Sequence, residues 1–144
     1  MSADTPQLIE GGFFEDHRGR LDFVNDFDAA PIKRVYFSTN ATTEIIRAWQ
    51  GHKVECRWFM CIKGSFKVKL IKIDDTSKAP QNPHVYEYHL TEEEPKILFI
   101  PNGYVNGFQS TKDDSKLLIM SNFGLGENPD DDFRFTLNEI KWND

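Results

Sequence analysis

Cysteine is scarce in this sequence: two residues, Cys56 and Cys61, in a chain of 144. They stand an odd number of positions apart in one predicted strand, so their side chains point to opposite faces and do not pair. Reduced thiols in a cytoplasmic protein are the expectation. Long apolar runs are missing as well. No stretch approaches the length of a membrane span, and the opening MSADTPQLIE has neither a basic leader nor an apolar core, so a soluble protein without a membrane partner is expected. Positive charge is in short supply, 17 Lys and Arg against 23 Asp and Glu, a formal charge of −6. That balance argues against nucleic acid as a partner, while a local basic cluster can still hold one small anion.

Helical periodicity is almost absent, and β signals take its place. The segments 32–39 (IKRVYFST), 57–62, 65–73 (SFKVKLIKI), 84–90, 96–100 and 116–123 are rich in β-branched and aromatic residues. Phe66, Val68 and Leu70 alternate with Lys67 and Lys69, the pattern of a strand with one buried and one solvated face. Breakers separate the runs at Lys63-Gly64, DDTSKAPQNP, TEEEP and PNG. Many short antiparallel strands in one chain of this size predict an all-β sandwich or jelly roll, one domain over residues 1–144 with room for a sizeable core. The acidic ENPDDD reads as a solvated loop.

One stretch breaks the pattern. Residues 44–70, EIIRAWQGHKVECRWFMCIKGSFKVKL, plant Arg47, Gln50, His52, Glu55 and Arg57 among strand formers. In plain alternation Arg47 shares a face with Trp49, and Ala48 with Gln50, unless Gly51 bends the chain. With a bend, His52 joins Glu55 or Arg57 in a common cavity. The pattern alone leaves two readings open, a polar pocket inside the barrel or edge residues facing solvent.

Short anchors in a fixed order carry a resemblance. DHRG (16–19), RAWQGHK (47–53), ECRWFMCIKG (55–64), PNGYVNGF (101–108) and the closing IKWND resemble the cupin-type deoxysugar-nucleotide isomerases. These are the dTDP-4-dehydrorhamnose 3,5-epimerases and the dTDP-4-keto-6-deoxyhexose 3,4-ketoisomerases. The resemblance implies a single cupin-type jelly-roll barrel with short terminal extensions. It further implies a homodimer formed by exchanged N-terminal strands, a dTDP-linked deoxysugar as ligand, and no cofactor.

The implied chemistry needs a base beside the 4-ketone, a cation for the enolate and an acid to return the proton. The resemblance puts Arg57 where the epimerases carry a lysine, Arg18 and Arg47 at diphosphate-holding positions, and Gln50, Lys53 and Asn106 at further substrate contacts. His52 falls at the second histidine of the ketoisomerase motif and is the candidate base. Tyr36 is its candidate partner, with Phe37 one register away. Asp144 matches the aspartate that orients the epimerase histidine.

Several positions depart from the family pattern. Gln50 replaces the epimerase base, Phe123 the tyrosine acid, Asn106 the histidine of the late Gly-x-x-His-Gly element, and Phe23 a nucleotide-contacting glutamate. Ordinary 3,5-epimerisation is therefore not expected. A metal-binding cupin wants a His-x-His pair, a glutamate and a late histidine; Gln50 and Asn106 break that set, and His84 and His89 lie on opposite faces of one strand, so no metal is expected. Two functions follow: a sugar-nucleotide isomerase using His52, Tyr36 and Arg57, or a catalytically silent cupin that binds the nucleotide sugar as a regulatory module.

Overall fold

The computed structural model describes residues 4–142, and no helix occurs among them. The strands are β1 (Gln7–Glu10), β2 (Gly12–Asp16), β3 (Gly19–Phe23), β4 (Arg34–Asn40), β5 (Ile46–His52) and β6 (Arg57–Lys63), followed by β7 (Ser65–Lys72), β8 (Tyr86–Thr91), β9 (Lys96–Ile100), β10 (Tyr104–Ser110), β11 (Ser115–Ser121) and β12 (Asp132–Arg134). Two five-stranded antiparallel sheets face each other, in the orders β1-β9-β6-β11-β4 and β12-β5-β10-β7-β8; β2 and β3 form a separate hairpin. This is the all-β jelly roll the strand count predicts.

The six runs rich in β-branched and aromatic residues became β4, β6, β7, β8, β9 and β11 with ends within two residues of those expected. Strands β1, β2, β3, β10 and β12 were not anticipated. In β10 the sequence YVNGFQS mixes Asn and Gly into the strand, and it is held by neighbours on both sides, β5 and β7, rather than by its own propensity. The tight β6–β7 connection turns at Gly64, whose φ of +74° suits glycine.

Three apolar layers build the interior. Between the sheets lie Phe59, Phe66, Val68, Leu70, Leu98, Phe108, Leu117 and Ile119, with the Phe59 and Phe108 rings edge to face at 5.7 Å. Outside the first sheet, Val24, Phe27 and Ile32 from the segment before β4 cover Trp58, Ile97 and Met120. Outside the second, the C-terminal segment lays Phe135, Ile140 and Trp142 over Trp49, Ile71 and Val105. This last cover corrects the expectation for β7. Its outward face is not solvated: Lys69 is buried under the C-terminal segment and donates to the Trp142 carbonyl at 2.5 Å. Cys56 and Cys61 do point to different layers, and burial pushes the Cys61 thiol up to about 12.

Gly51 sits where β5 is squeezed between β10 and β12. A Cβ there would lie 2.6 Å from the Phe133 ring and 2.8 Å from the Tyr104 carbonyl oxygen. Gly51→Ala is therefore expected to destabilise the fold by about 1–3 kcal/mol, read as a lower urea midpoint at unchanged slope.

Candidate functional site

The polar cluster faces inward because β5 slips by one residue. Against β10, Gln50 pairs with Asn106 and Ala48 with Gly107, so Trp49 is the extra residue of a β-bulge. The alternation therefore breaks at Trp49 and not at Gly51, which pairs regularly with Val105. Trp49 turns outward to stack with Trp142 and to donate its indole N–H to the Ile140 carbonyl at 2.8 Å. Gln50 and Ala48, expected on one face, are on opposite faces. Arg47, Gln50 and His52 all join the interior face that carries Asn106 and Phe108.

Arg47, Gln50, Asn106 and Phe108, but not His52, border a cleft of about 770 Å³. Arg34, Tyr36 and Ser38 line it from β4, Arg47 and Gln50 from β5, Arg57 from β6, Asn106 from β10, and Arg134 from the end of β12. Tyr36 lines the cleft whereas Phe37 is exposed outside, which settles the register of β4.

Arg57 is buried and tied on two sides. Its Nε donates to Glu55 Oε2 at 2.5 Å, its Nη2 contacts the same oxygen, and its Nη1 donates to the Tyr36 hydroxyl at 2.5 Å. Five guanidinium N–H groups less these three leave two without a partner among the described residues. His52 lies beneath this wall rather than on it. Its Nε2 is buried, has no hydrogen-bond partner among the described residues, and stands 4.0 Å from Glu55 Oε2. Burial first, and the Arg57 guanidinium second, hold the His52 imidazole below its ordinary value against the opposing pull of Glu55, Asp131 and Asp132. It is neutral at neutral pH, the form able to accept a proton.

The acidic segment expected to be a solvated loop is the site's anchor instead. Asp131 is buried, and its carboxylate accepts the backbone N–H groups of Lys53 (2.6 Å), Val54 (2.8 Å) and Glu55 (2.8 Å). These bonds hold the turn that carries His52 and Glu55 toward Arg57. Next to it, Asp132 accepts from the Gln50 amide at 3.0 Å. Burial works against its charge, but the bonds from Gln50 and Arg134 prevail and lower its carboxyl below the usual range. Sequence reasoning missed Asp131 because nothing in a run of three aspartates says which one turns inward.

Asn106 lines the cleft but spends its amide N–H on the Gln50 backbone carbonyl at 3.0 Å. Other candidates fall elsewhere. Lys53 is exposed on the turn, outside the cleft. Arg18 sits at the tip of the β2–β3 hairpin, bonded to Asp16 at 2.7 Å and away from the cleft wall. Phe123 and Phe23 are not among the cleft residues either, and Asp144 lies outside the described residues. Ligand atoms of His52, Glu55 and Asp131 lie within 4.8 Å of one another, a grouping that could hold a metal ion. Glu55 already serves the Arg57 cation, and Asp131 is committed to backbone N–H groups.

The FdtA family model, described as WxcM-like, C-terminal, matches residues 4–131. The chain belongs to that family. Curated protein sequences yield no match. Among solved structures, QdtA, a sugar 3,4-ketoisomerase from Thermoanaerobacterium thermosaccharolyticum in complex with TDP, is 24% identical with a TM-score of 0.70 over 96% of this chain and 94% of that one. A dTDP-4-dehydrorhamnose 3,5-epimerase from Sulfolobus tokodaii is 19% identical with a TM-score of 0.75, covering 96% and 81%. ChmJ, a 3'-monoepimerase from Streptomyces bikiniensis in complex with dTDP-quinovose, is 16% identical with a TM-score of 0.76, covering 94% and 72%. At these identities the likeness establishes the fold shared with the cupin-type isomerases.

The His52 environment gives a pH prediction. Because folding lowers its affinity for protons, the stability it permits is complete above the unfolded value of 6.5 and is lost as pH falls through and below it. Urea unfolding of the wild type is expected to weaken from about pH 6.5 downward, and His52→Gln to flatten that part of the profile. An unchanged slope in the variant would contradict the assignment.

Proposed function

We propose that this protein is a deoxysugar-nucleotide isomerase acting on a dTDP-4-keto-6-deoxyhexose by removal of a proton next to the ketone. The observation that carries this reading is the chain Tyr36–Arg57–Glu55–His52 at one end of a cleft of about 770 Å³, with Arg47 further along the same cleft. A 4-ketone makes the neighbouring C–H acidic, and the charge that develops on the ketone oxygen needs a donor in a shielded site. Arg57 supplies it with the two N–H groups left over. In this reading Tyr36, bonded to Arg57 on the wall, returns the proton, and neutral His52 behind them is its acceptor. Gln50 has an amide where a base was expected and holds Asp132 instead, so the 3,4-ketoisomerase chemistry of the relatives fits better than double epimerisation.

One observation favours a second reading. His52 Nε2 is shut away from the cleft, and no other imidazole is among the cleft residues. In that reading the chain binds the nucleotide sugar without turning it over. Incubation with dTDP-4-keto-6-deoxyglucose in deuterated water separates the two. The isomerase reading expects deuterium at C4 of the 3-keto product, and at C3 of substrate returned by the reverse step, with both lost in Tyr36→Phe and in His52→Gln. Absence of label in the wild type, with dTDP still bound, would establish the binding module.

We also propose a cytoplasmic homodimer. The β2–β3 hairpin joins neither sheet of its own chain and exposes Phe13, Phe14 and Leu21, while β4 is a sheet edge with Val35 and Phe37 exposed on its outer face. Apolar hairpins and open edges of this kind are covered in stable proteins, and a second copy offers a symmetric cover. Sedimentation at micromolar concentration is expected to give a dimer, and Phe14→Glu with Leu21→Glu a monomer; a monomeric wild type would refute the arrangement.

A further inference from the structure

Among the described residues, no backbone hydrogen bond joins one part of the turn 53–56 to another. Its conformation is imposed from outside, by two other connections. The β11–β12 connection serves the N–H side. The Asp131 carboxylate accepts from Lys53, Val54 and Glu55, and the Asn122 side-chain oxygen accepts from Cys56 at 2.9 Å. The turn between β9 and β10 serves the carbonyl side. Gly103 N–H donates to the His52 carbonyl at 2.7 Å, and the Asn102 carboxamide donates to the Lys53 carbonyl at 2.9 Å.

What this clasp holds is an arrangement that the local groups would not adopt if left free. His52 Nε2 is buried, without a hydrogen-bond partner among the described residues, and 4.0 Å from Glu55 Oε2. A hydrogen bond spans about 3.2 Å or less, so the imidazole is kept just short of a carboxylate that would satisfy it. A buried polar atom without a partner costs free energy, and a loose turn would close the gap. Closing it would draw Glu55 away from Arg57 and take up the lone pair of His52. The clasp therefore keeps Glu55 on the guanidinium and the imidazole unpaired.

The two sides of the clasp differ in burial. Asp131 is buried, and its loss would strand three N–H groups at once. Asn102 is exposed, makes one bond to the turn and is not among the cleft residues. We propose that Asn102 is a positioning residue, which by fixing the Lys53 carbonyl keeps His52 apart from Glu55. Its chemical consequence rests on the isomerase reading, in which His52 takes the proton; its geometry does not.

The test follows the His52 ring by NMR through a pH titration of the full chain, for the wild type, Asn102→Ala and Asn102→Gln. The signal is assigned by its absence from His52→Gln. The charged groups that face the imidazole are Glu55, Asp131, Asp132 and Arg57, and none of them is altered in these variants. In Asn102→Ala the ring closes on Glu55, so the His52 midpoint is expected to move up while those of His84 and His89 stay. Asn102→Gln, which keeps the donor, is expected to return toward the wild type. Deuterium incorporation into dTDP-4-keto-6-deoxyglucose is expected to fall about three- to tenfold in Asn102→Ala, with dTDP affinity unchanged. An unmoved His52 midpoint in Asn102→Ala overturns the assignment, as does a common shift of all the histidines or equal losses in Asn102→Ala and Asn102→Gln. If the midpoint moves but the wild type incorporates no label, the positioning role stands and the isomerase reading falls.

Discussion

The skipped residue in the β5–β10 ladder governs everything chemical in this molecule. A strand has a period of two, so a chain without the bulge at Trp49 would turn Arg47 outward whenever Gln50 and His52 faced in. With Trp49 set aside, all three share the interior with Asn106. The bulge is kept by what Trp49 does outside the sheet. Its backbone exchanges both hydrogen bonds with Phe135, its indole bonds to Ile140, and its ring packs on Trp142. The C-terminal segment is thus more than a cover for the second sheet. It holds the register that makes the cleft polar, and Arg134 and Thr136 at its start border that same cleft.

A second constraint is the buried pair Glu55–Arg57. Desolvating two charges costs free energy that a close contact offsets only when the remaining donors and acceptors are also served. Here Tyr36 serves one guanidinium N–H, and Asp131 orders the turn behind Glu55. The resemblance puts Arg57 where the epimerases carry a lysine, and its pairing with Glu55 leaves no net charge at that point of the wall. Positive potential in this cleft therefore moves from Arg57 toward Arg34 and Arg47. The imidazole of His52 lies between a guanidinium that disfavours its protonation and three carboxylates that favour it, and burial decides in favour of the neutral form.

The sequence revealed its sheets better than its site, for a physical reason. Strands such as β7 and β9 announce themselves by local alternation, whereas β10 and β12 exist only through their partners, and no local pattern encodes a partner. The interior position of Arg57 and Tyr36 followed from strand parity once the register was known. The faces of Ala48 and Gln50 did not, because a bulge made by an ordinary tryptophan leaves no glycine to mark it. Arg34 was passed over although it stands two residues from Tyr36 and lines the same cleft, because no local pattern says which arginines turn inward. Asp131 and the burial of Lys69 were beyond reach for the same cause, since both depend on segments more than sixty residues distant in the chain.

The losses at Gln50 and Phe123 now look different from each other. Gln50 is a true wall residue whose amide is spent on Asp132, a carboxylate kept ionised in part by that bond. Its replacement of a histidine removes a proton acceptor from the cleft but preserves a neutral donor to the same acid. Phe123 lies outside the cleft, just past the end of β11, so the missing hydroxyl there leaves the wall as it is. The departures on the cleft wall are therefore Gln50, Asn106 and Arg57, and on the sheet opposite Gln50 the Arg57 guanidinium, held by Glu55, holds Tyr36 by its hydroxyl. The polar groups tied together at the cleft thus gather on the Tyr36–Arg57–Glu55 side, with buried His52, at the end of β5, standing 4.0 Å from the Glu55 carboxylate that anchors them.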